Sequence, residues 1–102
     1  MKHCPLIAIV VPCYCEEAVV EETTRRLTQV LDRLTASGAI DSRSFILLVN
    51  DGSTDRTWPL IEQLHRTNPR VDGLNLAANV GHQPALLAGL NAVMKRSDAV
   101  VS

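Results

Sequence analysis

Residues 46–57 read ILLVNDGSTDRT. The opening apolar run breaks off at Asn50-Asp51-Gly52, residue types that favour a turn. Ser53, Thr54 or Asp55 can then cap a helix that carries Leu60, Ile61 and Leu64. A turn and a cap account for Gly52, Ser53 and Asp55. They leave Asp51 without a role, since many residue types can follow a strand. A carboxylate there can accept the imide N–H of uracil, or the N1–H and exocyclic amine of guanine. On this reading Asp51 meets a nucleotide base and Asp55 caps the helix, so losing Asp51 is expected to weaken binding with little change in melting temperature.

Working outward, Leu6–Val11 (LIAIVV) is a continuous apolar run closed by Pro12, the pattern of a strand buried on both faces. Val20, Leu27, Val30, Leu31 and Leu34 then recur at helical spacing. Glu16, Glu17, Glu21 and Glu22 come early and Arg25, Arg26 and Arg33 late, an order that suits the helix dipole, and Gly38 marks a stop. Phe45–Val49 is a second strand. Pro59 fits the following helix only if that helix starts near Asp55, and Asn68-Pro69 ends it. Val71–Ala77 is a third strand, weakened by Gly73. Gly81-His82-Gln83-Pro84 leads into a third helix with Leu86, Leu87, Leu90, Val93 and Met94 on its apolar side. Ala85, Ala88, Gly89 and Ala92 give that helix a small-residue face that can lie close to a sheet. Asp98–Ser102 begins a fourth strand.

This alternation predicts an α/β fold over residues 1–102: a Rossmann-like parallel sheet in one domain, with helices on both faces. Right-handed crossovers predict the strand order 3-2-1-4, with the third helix on the face opposite the first two. Ligands of such sheets gather at the carboxyl ends of strands, where Pro12–Glu16 and Asn50–Asp55 both fall.

Composition removes several classes of function. The 102 residues carry 46% hydrophobic and 21% charged residues and a net charge of −1, which argues for one globular domain and against nucleic acid or an anionic membrane surface as partner. Tyr14, Phe45 and Trp58 are too few aromatics for a base-stacking platform. No apolar run approaches the roughly 20 residues of a membrane helix, and the short start before Leu6 does not read as a secretory signal. A soluble chain beginning in the cytoplasm is expected. Cys4, Cys13 and Cys15 are odd in number and bunched, which reads as three reduced thiols. With His3 they make a weak zinc set, because Cys13-x-Cys15 lacks the usual spacer and no second ligand pair follows. Neither G-x-G-x-x-G after the first strand nor a P-loop is present. Cys13 or Cys15 as a nucleophile would need a base, for which only His65 and His82 lie mid-chain.

Pro12-Cys13-Tyr14-Cys15-Glu16-Glu17 can be a plain strand exit whose acids favour the next helix N-terminus. It can also offer the flat face of Tyr14 to a nucleobase and the Glu16 carboxylate to ribose hydroxyls. Three stretches then fall in order: Pro12-x-Tyr14-x-Glu16-Glu17, Val49-Asn50-Asp51-Gly52-Ser53-Thr54-Asp55, and Asn79-x-Gly81-His82-Gln83-x-Ala85-Leu86-x-Ala88-Gly89-Leu90. Together they resemble the start of an inverting family 2 glycosyltransferase with the GT-A fold. The Gly-His-Gln-x-Ala-Leu form of the third is most similar to the polyprenol-phosphate (dolichol- or undecaprenol-phosphate) sugar transferases. The resemblance covers residues 6–102.

The resemblance implies contacts to a nucleotide-sugar donor at Pro12, Tyr14, Glu16 and Asp51, with Val49 lining the same pocket. Asn79, Gly81 and His82 would lie near donor or acceptor, and Gly89 would be a packing position. It also implies transfer from a UDP- or GDP-sugar to a polyprenyl phosphate, a lipid-phosphate acceptor. The associated Mg2+ or Mn2+ would take its ligands from an Asp-x-Asp expected beyond residue 102, with the catalytic base further on. The chain is therefore expected to be the amino-terminal, nucleotide-binding portion of a longer enzyme. It would hold no catalytic or metal residue, be inactive alone, and work at the cytoplasmic face of a membrane. With an open edge at Val100-Val101, the isolated chain is expected either to self-associate, as a homo-oligomer, or to be marginally stable. Two positions depart from the family pattern: Cys15, where Asn is usual, and Pro59. The rivals are a family 2 enzyme of polysaccharide or cell-wall glycan synthesis, and a non-catalytic α/β nucleotide-sensing or receiver-like module. A receiver would have paired acids after its first strand and an Asp ending its third, where this chain has Pro12 and Ala77-Ala78.

Overall fold

The computed structural model describes residues 4–101, in which strands and helices alternate. The order is β1 (Ile7–Cys13), α1 (Val20–Ala36), β2 (Phe45–Asp51), α2 (Thr57–Thr67), β3 (Val71–Leu76), α3 (His82–Val93) and β4 (Ala99–Val101). All pairings are parallel and the sheet runs β3-β2-β1-β4, the order predicted from right-handed crossovers.

The central strands are apolar from Ile7 to Cys13 and from Phe45 to Val49 because helices cover both of their faces, and β2 then runs two residues past the expected Val49 to Asn50 and Asp51. In β2, Ile46 and Leu48 face one layer with Leu31 of α1 and Ile61 of α2. Leu47 and Val49, on the opposite pleat, face Ala85 and Val93 of α3. So α3 packs on the other side of the sheet from α1 and α2, as expected. It packs closely: a Cβ on Gly89 would come within 2.8 Å of Val49 Cγ2 and nearer still to Val10. Gly89 is thus the position at which helix and sheet touch backbone to side chain.

Some boundaries differ from the expectation. β1 continues through Pro12 to Cys13, since Pro12 and Cys13 still stand opposite Val49 and Asn50 of β2. α2 begins at Thr57, which puts Pro59 in the first turn, where a missing N–H leaves no intrahelical bond unmade. Pro84 occupies the same place in α3. β3 ends at Leu76, one residue short of Ala77. The fourth strand covers Ala99–Val101, and Ser102 lies outside the described residues.

Candidate functional site

The carboxyl ends of β1 and β2 open into a cleft of about 320 Å³ lined by Pro12, Cys13, Tyr14, Glu16, Asp51, Asn79, Gly81 and His82. Three segments converge there: the end of β1 with its loop to α1, the last residue of β2, and the connection from β3 to α3. That last connection crosses the end of the sheet because α3 must reach the opposite face. The cleft therefore sits beside the point where strand order reverses, between β1 and β4.

Every residue singled out from the sequence lines this cleft except Val49. Val49 is fully buried beneath α3, so it supports the floor from within the core and does not reach the pocket. Cys13, weighed from the sequence as a nucleophile or zinc ligand and not among the expected donor contacts, lines it as well. A thiol ending a strand carries no recognisable binding signal. Its burial, with Glu16 nearby, pushes the Cys13 thiol up to about 12, which removes it as a nucleophile.

Asp51 is only 3% exposed, and its carboxylate is already engaged. Val80 N–H donates to Oδ1 at 2.8 Å, Gly81 N–H to Oδ2 at 3.0 Å and Asn79 Nδ2 to Oδ2 at 3.2 Å. Asn79 Nδ2 also reaches the Asp51 carbonyl at 3.1 Å. Asp51 thus ties the β3–α3 connection to the end of β2, a structural task the sequence reading did not assign to it. Oδ1 keeps one acceptor position for a further donor. Gly52 makes this closure possible: at φ +64°, a Cβ there would overlap the Asn79 amide nitrogen and the Ala78 carbonyl carbon. Beside it, buried Asn50 donates from Nδ2 to Asn75 Oδ1 at 2.8 Å, joining the ends of β2 and β3.

Tyr14 is 49% exposed, with its ring free to meet a planar group. The neighbouring Cys15 charge holds its phenol above the ordinary value of 10.0, so it stays an O–H donor at neutral pH. Cys15 is exposed, and its Sγ stands 3.5 Å from Thr54 Oγ1, whose hydroxyl lowers the thiol from its ordinary value. The N-cap of α2 is Arg56, not one of the three residues expected, and Asp55 acts from one residue before it: its Oδ1 accepts the Thr57 N–H at 2.9 Å and the Thr57 hydroxyl.

No group of three or more His, Cys, Asp or Glu among the described residues is placed to hold a metal ion. The Cys4, Cys13 and Cys15 set makes no such site, and His3 lies outside the described residues. Among the described residues, the Mg2+ or Mn2+ implied by the resemblance likewise finds no such ligand group.

Residues 8–100 match the sequence profile of glycosyl transferase family 2. The chain belongs to that family. It is 53% identical over 98 residues to YkoT of Bacillus subtilis, an uncharacterized glycosyltransferase, covering 96% of this chain and 29% of that protein. It is 35% identical over 106 residues to the undecaprenyl-phosphate 4-deoxy-4-formamido-L-arabinose transferase of Pseudomonas aeruginosa, covering 100% of this chain and 29% of the relative. The chain therefore spans under a third of the length of these curated relatives. Among solved structures, the mannosyltransferase PcManGT from Pyrobaculum calidifontis, in complex with GDP-Man and Mn2+, matches with a TM-score of 0.66 at 22% identity, over 89% of this chain and 25% of that one. That likeness establishes the GT-A-like fold of this family 2 chain.

Proposed function

We propose that the cleft binds the nucleotide of a UDP- or GDP-sugar, and that the full protein transfers the sugar to a polyprenyl phosphate at the cytoplasmic face of a membrane. The observation that carries this reading is the convergence of an exposed aromatic ring, Tyr14, with two carboxylates, Glu16 and Asp51, in one cleft at strand carboxyl ends. The ring offers a stacking surface for a base. The open acceptor position on Asp51 Oδ1 suits a base N–H, and Glu16 suits the ribose hydroxyls. The cleft volume of about 320 Å³ is at the lower end of the range for small-ligand sites. The GDP-Man held by the Pyrobaculum neighbour supports a nucleotide-sugar donor. The undecaprenyl-phosphate transferase relatives, with the Gly81-His82-Gln83 sequence at the start of α3, support the lipid-phosphate acceptor.

In this reading the residues described here bind and orient the donor, a contribution of proximity. A phosphate acceptor is already anionic and needs little help from a general base. The test uses the full-length protein, with titration of UDP and GDP followed by transfer assays on undecaprenyl phosphate and on soluble glycan acceptors. Binding of one nucleotide together with transfer to the lipid is the expected result. Transfer only to a glycan would move the protein to polysaccharide synthesis, and absence of nucleotide binding would remove the reading altogether.

A further inference from the structure

Three successive amides of the β1–α1 loop donate to side chains of the β2–α2 loop and of the first residue of α2. Cys15 N–H reaches Ser53 Oγ at 2.9 Å, Glu16 N–H reaches Thr57 Oγ1 at 2.8 Å, and Glu17 N–H reaches Asp55 Oδ2 at 3.3 Å. A strand exit on a protein surface would ordinarily leave such amides to water. Here the segment that follows β2 takes all three.

Thr57 is at the centre of this arrangement. It is fully buried and does not line the cleft. Its hydroxyl has one proton, which goes to Asp55 Oδ1, so a lone pair is left to accept the Glu16 amide. A helix cap explains why Asp55 accepts the Thr57 amide. It does not explain why the Thr57 hydroxyl reaches out of its own helix to a loop that begins at the end of another strand.

The loop it holds is strained. Cys15 has φ +51°, the left-handed region that residues with a Cβ rarely adopt outside Asn and Asp. Such a residue persists when its surroundings over-determine it. The bonds to the Cys15 and Glu16 amides lie on either side of the Cys15 Cα and supply that restraint. Tyr14 and Glu16 flank the reversed residue, so the direction in which both side chains leave the backbone depends on it.

We propose that Ser53, Asp55 and Thr57 are positioning residues for the donor site: they fix the left-handed turn at Cys15 and so set the Tyr14 ring and the Glu16 carboxylate on the cleft. This inference rests on the reading of the cleft as a nucleotide site. Substitutions in the full-length protein separate the two. Thr57→Val removes the hydroxyl and keeps the shape, while Thr57→Ser keeps the hydroxyl. Thr57→Val is expected to speed hydrogen exchange at amides 15–17 and to weaken UDP or GDP binding by about tenfold, leaving amides 46–49 protected. Thr57→Ser should return both to wild type. Ser53→Ala, at a half-buried site that the core does not depend on, should give a smaller change of the same kind and decides the matter if Thr57→Val fails to fold. Variants that melt earlier yet bind nucleotide as wild type would reduce Thr57 to a helix cap and overturn the proposal, as would unchanged exchange at amides 15–17. If the wild-type protein itself binds neither UDP nor GDP, the nucleotide reading falls first and the donor-site role falls with it.

Discussion

The Asp51 carboxylate accepts the Gly81 amide at 3.0 Å, a bond between the end of β2 and the N-cap of α3. With the Val80 amide on its other oxygen, Asp51 acts as the fastening of the β3–α3 connection. Asp51→Ala leaves these amides without their acceptor, which should cost about 1–3 kcal/mol of stability. Denaturant unfolding should therefore show a clear loss, in place of the near-unchanged stability expected from the sequence. Calorimetric titration of the same full-length variant should show weaker nucleotide binding as well, because Asn79, Gly81 and His82 lose their placement.

Gly52→Ala tests the neighbouring constraint. The substitution combines a left-handed φ with overlap onto the Ala78–Asn79 backbone, which no rotamer change can relieve. Destabilisation of at least about 1–3 kcal/mol is expected, comparable to overpacking a core. Thermal melts of the purified variant read it directly.

Cys15→Asn should have the opposite sign. Asn tolerates the left-handed region better than Cys, and its side chain can still meet the Thr54 hydroxyl. The melting temperature should rise modestly with nucleotide affinity retained. A fall would mean that the thiol makes a contribution beyond its backbone angle.

Stability should also depend on pH through Asp55. The Thr57 hydroxyl, followed by the Thr57 and Glu17 amides, holds this carboxylate below its ordinary value of 3.8. A carboxylate depressed in the folded state stabilises fully above the unfolded value and loses that contribution as pH falls through the folded one. Asp55→Asn should therefore melt earlier than wild type at pH 7, with the gap narrowing as pH drops below 3.8. Parallel melts of the two proteins down to strongly acid pH check the sign.

Thiol labelling separates the two cysteines near the cleft. Cys15 is exposed and lowered from its ordinary value by Thr54, so it should alkylate readily in the native protein at neutral pH. Cys13, buried and pushed up to about 12, should react only on unfolding. Peptide mapping after a short pulse of reagent distinguishes them.

The strand order was legible because β1 and β2 are unbroken apolar runs joined by amphipathic segments, and parallel crossovers leave few alternatives. Asp51 and Val49 show where legibility stopped. Both lie on the same pleat of β2, facing the side on which α3 packs. At Val49 that side is filled by α3 itself, so the side chain is sealed in. Beyond it, at Asp51, the same side meets the backbone of residues 79–81, whose path across the sheet end is irregular and has no periodic signature. The bond from Glu16 to Thr57 was hidden for a similar reason, since it joins a loop to the first residue of a helix 41 residues on in sequence.

The placement of β1 bears on how the molecule is made. β1 is the first of the four described strands in sequence, yet it lies between β2 and β4 in the sheet. On the ribosome the N–H and C=O groups along its two edges stay unpaired until β2 emerges on one side and β4 on the other. At about 5–20 residues per second, the second partner follows β1 by on the order of ten seconds. For that interval a sticky strand is displayed to every other nascent chain nearby, and to the holdase chaperones that recognise such segments. Slower translation across residues 14–98 is therefore expected to favour aggregation over folding, which comparing soluble yields of fast- and slow-codon versions of the gene would read.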